Sequence, residues 1–143
     1  MTGLLNVDRE TAERDYSSWH GAYNGMLDYL QSLFDCGGAC GVWIHEGIYV
    51  SALRLEPYRD GFLIAGLETV PQMRNRGFAE QLLRSVCQQL REQGGAVLYS
   101  HVHISNAASL RVHVKCGFSG YLDHAVFLDG SVDTRTVTLQ IIL

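Results

Sequence analysis

Proline is almost absent from this chain, with two residues in 143. No Pro/Gly/Ser-rich stretch, charge block or internal repeat interrupts the sequence, which argues for one continuous domain over residues 1–143. Long apolar runs are missing as well. The run from Phe62 to Leu67 is among the longest, far short of the roughly 20 residues that span a bilayer. The N-terminal stretch carries Asp8, Arg9, Glu10, Glu13, Arg14 and Asp15 where a signal segment would be apolar. The chain therefore reads as cytoplasmic, with no membrane partner expected. Basic residues are in the minority, 11 Lys and Arg against 15 Asp and Glu, for a net charge of -4 without any basic stripe. A nucleic-acid partner, whose phosphates call for a cationic surface, is not expected. Cysteine is sparse: Cys36 and Cys40 flank Gly37 and Gly38, and no pair with zinc-ligand spacing joins Cys87 and Cys116, so free thiols and no metal are expected. His45-Glu46 would open a metalloprotease helix only with a second histidine at position 49, which holds Tyr49.

What the chain does have is 47% apolar residues against 18% charged, enough for one compact core. Trp19, Tyr23, Met26, Leu27, Leu30, Leu33 and Phe34 recur at three and four, predicting a helix over 17–35 that Gly37-Gly38 stops. Leu4, Leu5 and Val7 form a short first strand within 1–16 or nothing ordered. Cys40 to Ile44 and Ile48 to Leu55 read as an antiparallel hairpin around His45-Glu46-Gly47, and Gly61 to Val70 as the next strand. Phe78, Leu82, Val86 and Leu90 then recur every four, a helix that Gly94-Gly95 ends. Strand 96–104, helix 107–115 and two last strands, 121–128 and 134–143 joined through Asp129-Gly130, complete a mixed α/β (α+β) sheet. The strand–helix–strand unit over 61–104 should be a parallel crossover.

The chemistry concentrates in two stretches. The first, Pro71-Gln72-Met73-Arg74-Asn75-Arg76-Gly77-Phe78-Ala79, lies between a strand and a long amphipathic helix. A tight turn opening a helix presents unpaired backbone N–H groups at the positive end of the helix dipole, a ready site for phosphate. It lacks the G-K-[ST] of a Walker loop and the three-glycine spacing of a dinucleotide fingerprint. Arg74 and Arg76 read either as anion ligands or as solvated charges. The second stretch runs from Asn106 through Ser109, Arg111 and His113 to Gly117-Phe118.

Together the two stretches resemble the GNAT superfamily of acyl-CoA-dependent N-acetyltransferases. Its first motif, P-x-x-[QR]-x-x-G-x-[GA], is matched by Pro71, Arg74, Gly77 and Ala79. Its second, N-x-x-[AS]-x-x-x-Y-x-x-x-G-F, is matched by Asn106, Ser109, Gly117 and Phe118. The resemblance implies a GNAT-like fold, with strands 61–70 and 96–104 splayed at their C-terminal ends and helices on both faces. It implies acetyl-CoA as co-substrate, with the pyrophosphate on the backbone amides of Arg74, Asn75, Arg76, Gly77, Phe78 and Ala79. Pantetheine would lie along Leu67, Glu68 and Thr69, with Asn106, Ser109 and His113 completing the cofactor site. The implied reaction is direct attack of a primary amine, carried by a small molecule or a peptide, on the thioester.

Such an amine must first lose a proton. Glu68, late on its strand, and His101, five positions before Asn106, are the candidate bases; Glu68 reads equally as an exposed strand carboxylate. Period-2 alternation puts His103 on the same face as His101, so the two could act together or bind a metal, though no third ligand is evident. His113 occupies the place of the family's tyrosine, which protonates the departing thiolate; it is read either as that acid or as a packed helix histidine. Trp19, Tyr23, Tyr29, Tyr58 and Tyr121 read as core or as an acceptor pocket. The missing tyrosine also leaves room for a catalytically impaired acyl-CoA-binding sensor or interaction domain. A homodimer through sheet edges, common among relatives, is left open.

Overall fold

The structure, a computed structural model, describes residues 31–143. The possible first strand within 1–16 and the predicted helix from position 17 to position 30, with Trp19, Tyr23 and Tyr29, lie outside the described residues. Strands β1 (Ala39–His45), β2 (Ile48–Tyr58) and β3 (Gly61–Thr69) form an antiparallel meander. A short 3-10 turn (Pro71–Met73) and helix α1 (Phe78–Glu92) then lead to β4 (Val97–His103), which pairs parallel to β3. Helix α2 (Ala107–Lys115) is followed by β5 (Ser119–Leu122), β6 (Ala125–Val126), β7 (Val132–Asp133) and β8 (Thr136–Ile142). The main sheet has six strands in the order β1-β2-β3-β4-β8-β5, and β6-β7 form a separate small ladder.

The two faces of the sheet are dressed differently. Leu53 and Leu55 of β2, Ile64 of β3, and Leu98 and Val102 of β4 pack against Leu82, Leu83, Val86 and Cys87 of α1 and against Cys116 and Phe118. The four-residue recurrence seen in the sequence is thus the buried stripe of α1, and truncating one such leucine to alanine costs about 2–5 kcal/mol. On the opposite face Ala52 packs with Leu33, the buried residue of the helical turn at 31–35. Helical segments therefore flank the sheet on both sides.

β3 is interrupted at its middle. Ala52 faces Glu68 and Arg54 faces Ala65, so β3 uses three steps where β2 uses two, and one extra residue is inserted around Gly66. Gly66 sits at φ 59°, and a Cβ there would meet the Arg54 guanidinium at 2.6 Å. The insertion explains how Ile64 and Leu67, three positions apart, both pack on the helix face. β3 and β4 are paired only over Phe62 to Ile64 and Leu98 to Ser100, and no pairs join them beyond.

The single strand expected over 121–128 is broken in two. β5 pairs with β8 in the main sheet, whereas Ala125 and Val126 pair with β7. Two carbonyls in this stretch are bonded by side chains rather than by a strand neighbour: Thr138 Oγ1 donates to His124 O (2.8 Å), and the Tyr58 hydroxyl donates to Val126 O. These contacts hold 125–133 as a hairpin beside the sheet. Asp129-Gly130 lies in its turn as expected, with Asp129 accepting from the Ser131 N–H and hydroxyl.

Candidate active site

Past the last β3–β4 pair a cleft of about 620 Å³ opens between the end of β3 and helices α1 and α2. Leu67, Glu68 and Thr69 of β3 form one wall. Met73, Arg74 and Asn75 of the turn and Gly77, Phe78, Ala79 and Glu80 at the start of α1 form the floor. Asn106, Ala108, Ser109, Arg111, Val112 and Lys115 of α2 form the other wall.

The floor is shaped by two left-handed residues, Asn75 at φ 62° and Gly77 at φ 79°. Alternating hand along a short turn aims successive N–H groups into one concavity, a nest for an anion. Gly77 caps α1 without a side-chain hydrogen bond, and the N–H groups of Asn75, Arg76, Gly77, Phe78 and Ala79 have no acceptor among the described residues. Nothing lies within 4 Å of a Cβ at Gly77, so the backbone there is open to a ligand. Arg74 is not a freely solvated charge: its Nε donates to Thr69 O (3.1 Å), which ties the guanidinium to the end of β3. Arg76 is exposed and outside the lining.

Asn106 caps α2, its side-chain oxygen accepting from the Ser109 N–H (3.1 Å). The far end of α2 explains the Gly-Phe pair of the second motif. Gly117, at φ 98°, returns its N–H to Val114 O (3.0 Å), and Phe118 returns its own to His113 O (3.0 Å). This is a Schellman close, which folds Phe118 back over the residue five before it. Their rings meet edge to face at 5.1 Å.

That close bears on the two readings of His113. Its side chain is 1% exposed and does not line the cleft. Its Nδ1 donates to Ser109 O (2.7 Å), while its Nε2 is buried without a partner. Burial outweighs the backbone hydrogen bond and lowers its pKa below the ordinary histidine value, so the ring is neutral at pH 7. An imidazole so placed packs beneath Phe118, outside the lining of the cleft.

The two candidate bases sit differently. Glu68 is exposed and lines the cleft. His101 is the first residue of β4 beyond the paired rows. It shares the face opposite α1 with an aromatic group, its ring 5.6 Å from Tyr58 and 5.2 Å from Phe127. Tyr99 links Tyr58 (5.3 Å) to Tyr121 (5.4 Å), and Arg59 lies over both Tyr58 and Tyr121. Burial first, and the Arg59 charge second, lower the His101 pKa. Its Nε2 is buried and unpartnered. His103 shares the face, as alternation requires, but its Nδ1 is taken up by Ser105 Oγ (2.6 Å) and N–H (3.1 Å) in the turn before α2. Among the described residues no three His, Cys, Asp or Glu converge as a metal site. All four cysteines are free; burial pushes the Cys116 thiol up to about 11.

The cleft thus gathers every residue the resemblance assigned to the cofactor except Arg76 and His113. The sequence reading missed Met73, Glu80, Ala108, Arg111, Val112 and Lys115. A signal for the last four was present, since 108, 111, 112 and 115 recur at three and four on one helix face.

Comparison with known proteins sharpens the reading. Among solved structures, a ribosomal-protein-alanine N-acetyltransferase from Brucella melitensis superposes with a TM-score of 0.68 at 23% identity, over 84% of this chain and 78% of its own. The structure of yncA from Salmonella typhimurium with its cofactor acetyl-CoA gives 0.66 at 18%, over 84% and 73%. An acetyltransferase from Bacillus subtilis in complex with CoA gives 0.62 at 19%, over 81% and 83%. At these identities the likeness shows the fold. No curated protein matches in sequence. The family model described as Acetyltransferase (GNAT) family matches residues 4–118, a span that takes in both motifs, the strands that part between them and the Schellman close, and the chain therefore belongs to the GNAT acetyltransferase family.

Proposed function

We propose that this protein is an N-acetyltransferase that transfers the acetyl group of acetyl-CoA to a primary amine by direct attack in a ternary complex. The observation that carries the reading is the row of open N–H groups from Asn75 to Ala79, set in a cleft beside two strands that have parted. A pyrophosphate suits that nest, with Arg74 beside it. The free edge of β3 at Leu67, Glu68 and Thr69 offers main-chain partners to an amide-bearing arm. Asn106 and Ser109 stand across from that edge, at the start of α2.

The thioester supplies an activated acyl carbonyl, and the chain must supply a neutral nucleophile. His101, whose ring is neutral at pH 7, is one candidate base, although its Nε2 is buried and the residue does not line the cleft, so it would act only through a rearrangement or a relay. Glu68 lines the cleft and is the alternative, directly or through a water. With His113 buried, the leaving thiolate, whose parent thiol has a pKa of about 8.5, takes its proton from solvent. The acceptor is a small-molecule or peptide amine.

The same burial of His113 favours a second reading, an acyl-CoA-binding domain without turnover. Thermal melting with acetyl-CoA followed by thiol release across an amine panel separates the two. Stabilisation with thiol release on at least one amine supports the transferase; stabilisation without release on any supports the sensor. No stabilisation by acetyl-CoA overturns both.

A further inference from the structure

The hairpin of β6 and β7 is a small body of its own beside the main sheet. Its strands share the paired rows Ala125 with Asp133 and Val126 with Val132. The tip closes on itself, the Phe127 N–H donating to Ser131 O (2.9 Å) and the Gly130 N–H to Phe127 O (2.9 Å). Its ties to the main sheet differ along its length. At the base, Thr138 Oγ1 donates to His124 O (2.8 Å) and Thr136 Oγ1 to Asp133 Oδ2 (2.9 Å), and both threonines are buried in β8. Next to the tip, the tie among the described residues is the Tyr58 hydroxyl, which reaches from β2 to Val126 O. A body fixed at its base and held near its tip by a single side chain has a hinge and a latch.

What the latch covers is His101. Phe127, the residue after Val126, lays its ring edge to face on the imidazole at 5.2 Å, and the Tyr58 ring does the same at 5.6 Å. One hydroxyl therefore keeps both rings against His101, whose Nε2 is left buried without a partner. The outer side of the tip is already wet: Phe127 is 40% exposed, Leu128 72% and Val132 56%. Little apolar burial opposes its lifting. Resting on the reading of the reaction above, we infer that Tyr58 is a positioning residue whose hydroxyl latches the β6–β7 hairpin over His101, and that release of this latch is the rearrangement that opens His101 Nε2 to the acceptor amine. Once open, Nε2 takes one proton from the acceptor ammonium, leaving a neutral amine and an imidazolium that returns the proton to solvent.

Diethyl pyrocarbonate, which acylates neutral imidazoles, tests the latch on the full chain when its reaction with each histidine is followed by peptide mass spectrometry at pH 7. Tyr58→Phe keeps the ring and removes the hydroxyl. It should speed the reaction of His101 about three- to tenfold, the worth of one hydrogen bond, while exposed His103 changes little and buried His113 stays unreactive. Phe127→Ala, a change at the exposed tip, removes the cover itself and should speed His101 at least as much. With acetyl-CoA saturating, kcat/KM for the amine should rise in Tyr58→Phe by the same factor as the His101 reactivity, because the competent population rises, and the KM for acetyl-CoA should stay the same. An unchanged His101 rate in the folded variants overturns the proposal and leaves the acetyltransferase reading standing, as does a faster His101 with no gain in kcat/KM. Thiol release on no amine by any of the three proteins overturns that reading itself and the proposal with it.

Discussion

Phe118 closes over His113, ring on ring at 5.1 Å, because the chain turns back at Gly117 and returns the Phe118 N–H to the His113 carbonyl. The histidine is thereby a helix-end packing residue whose Nδ1 is occupied by Ser109 O and whose Nε2 has no partner. His113→Phe, which keeps the ring and removes the orphaned nitrogen, should leave kcat within a few-fold of the unsubstituted protein. A hundredfold fall in kcat with the fold intact would restore the catalytic role.

The lowered pKa of His113 also sets a stability profile. A histidine with a folded pKa below its unfolded value of about 6.5 binds more protons when unfolded, so stability falls as pH drops below that value and levels off beneath the folded pKa. His101 acts in the same direction. Urea midpoints at pH 7.5 and 5.5 should show the loss, and His113→Phe should shrink it.

His101→Gln should lower kcat/KM by about 10²–10⁴ if the imidazole takes the amine proton. The acidic limb of the pH–rate profile should disappear with it, a limb that lies below about pH 6.5 because burial and Arg59 depress the pKa. Glu68→Gln measured beside it ranks the two bases: whichever variant loses the limb identifies the base.

At Gly77, φ 79° is the conformation that an alanine resists, at about 1–2 kcal/mol. Open space around the missing Cβ means that Gly77→Ala suffers strain and not collision. The expected result is a KM for acetyl-CoA raised several-fold, with kcat at saturation little changed, because the substitution acts on the nest and not on the base.

Cys116 is held as a thiol, its pKa pushed up to about 11 by burial, with Sγ directed at Glu80 O (3.8 Å). Cys116→Ala should keep turnover, and mass spectrometry of a single-turnover sample should find no acetyl group on this residue. Acetyl-Cys116 formed at the rate of turnover would replace direct transfer by a covalent route.

Much of the fold was legible because it is written locally. The four-residue stripe from Phe78 to Leu90, the stop at Gly94-Gly95 and the turn from Arg74 to Ala79 each depend on neighbours in sequence. The break between β5 and β6 was not, since it depends on hydroxyls of Tyr58 and Thr138 that come from 68 and 14 residues away. The reach of His113 was hidden for a related reason: a motif position shows which residue stands there and not whether a shorter ring falls under its neighbour. Arg111 and Lys115 went unread because solvent-facing charges on a helix look alike until a cleft is found beside some of them.

The extra residue around Gly66 decides which side of the sheet each later residue of β3 belongs to. Removing one residue between Ala65 and Leu67 would reverse that assignment: Glu68 would be turned beneath α1 and Leu67 away from it. A carboxylate would then be buried among leucines, and the wall of the cleft would lose its acidic group in the same step. The strand is thus intolerant of a change in length at a point where it would tolerate many changes in side chain, and an alignment of relatives that places a gap there should be read as a different active site.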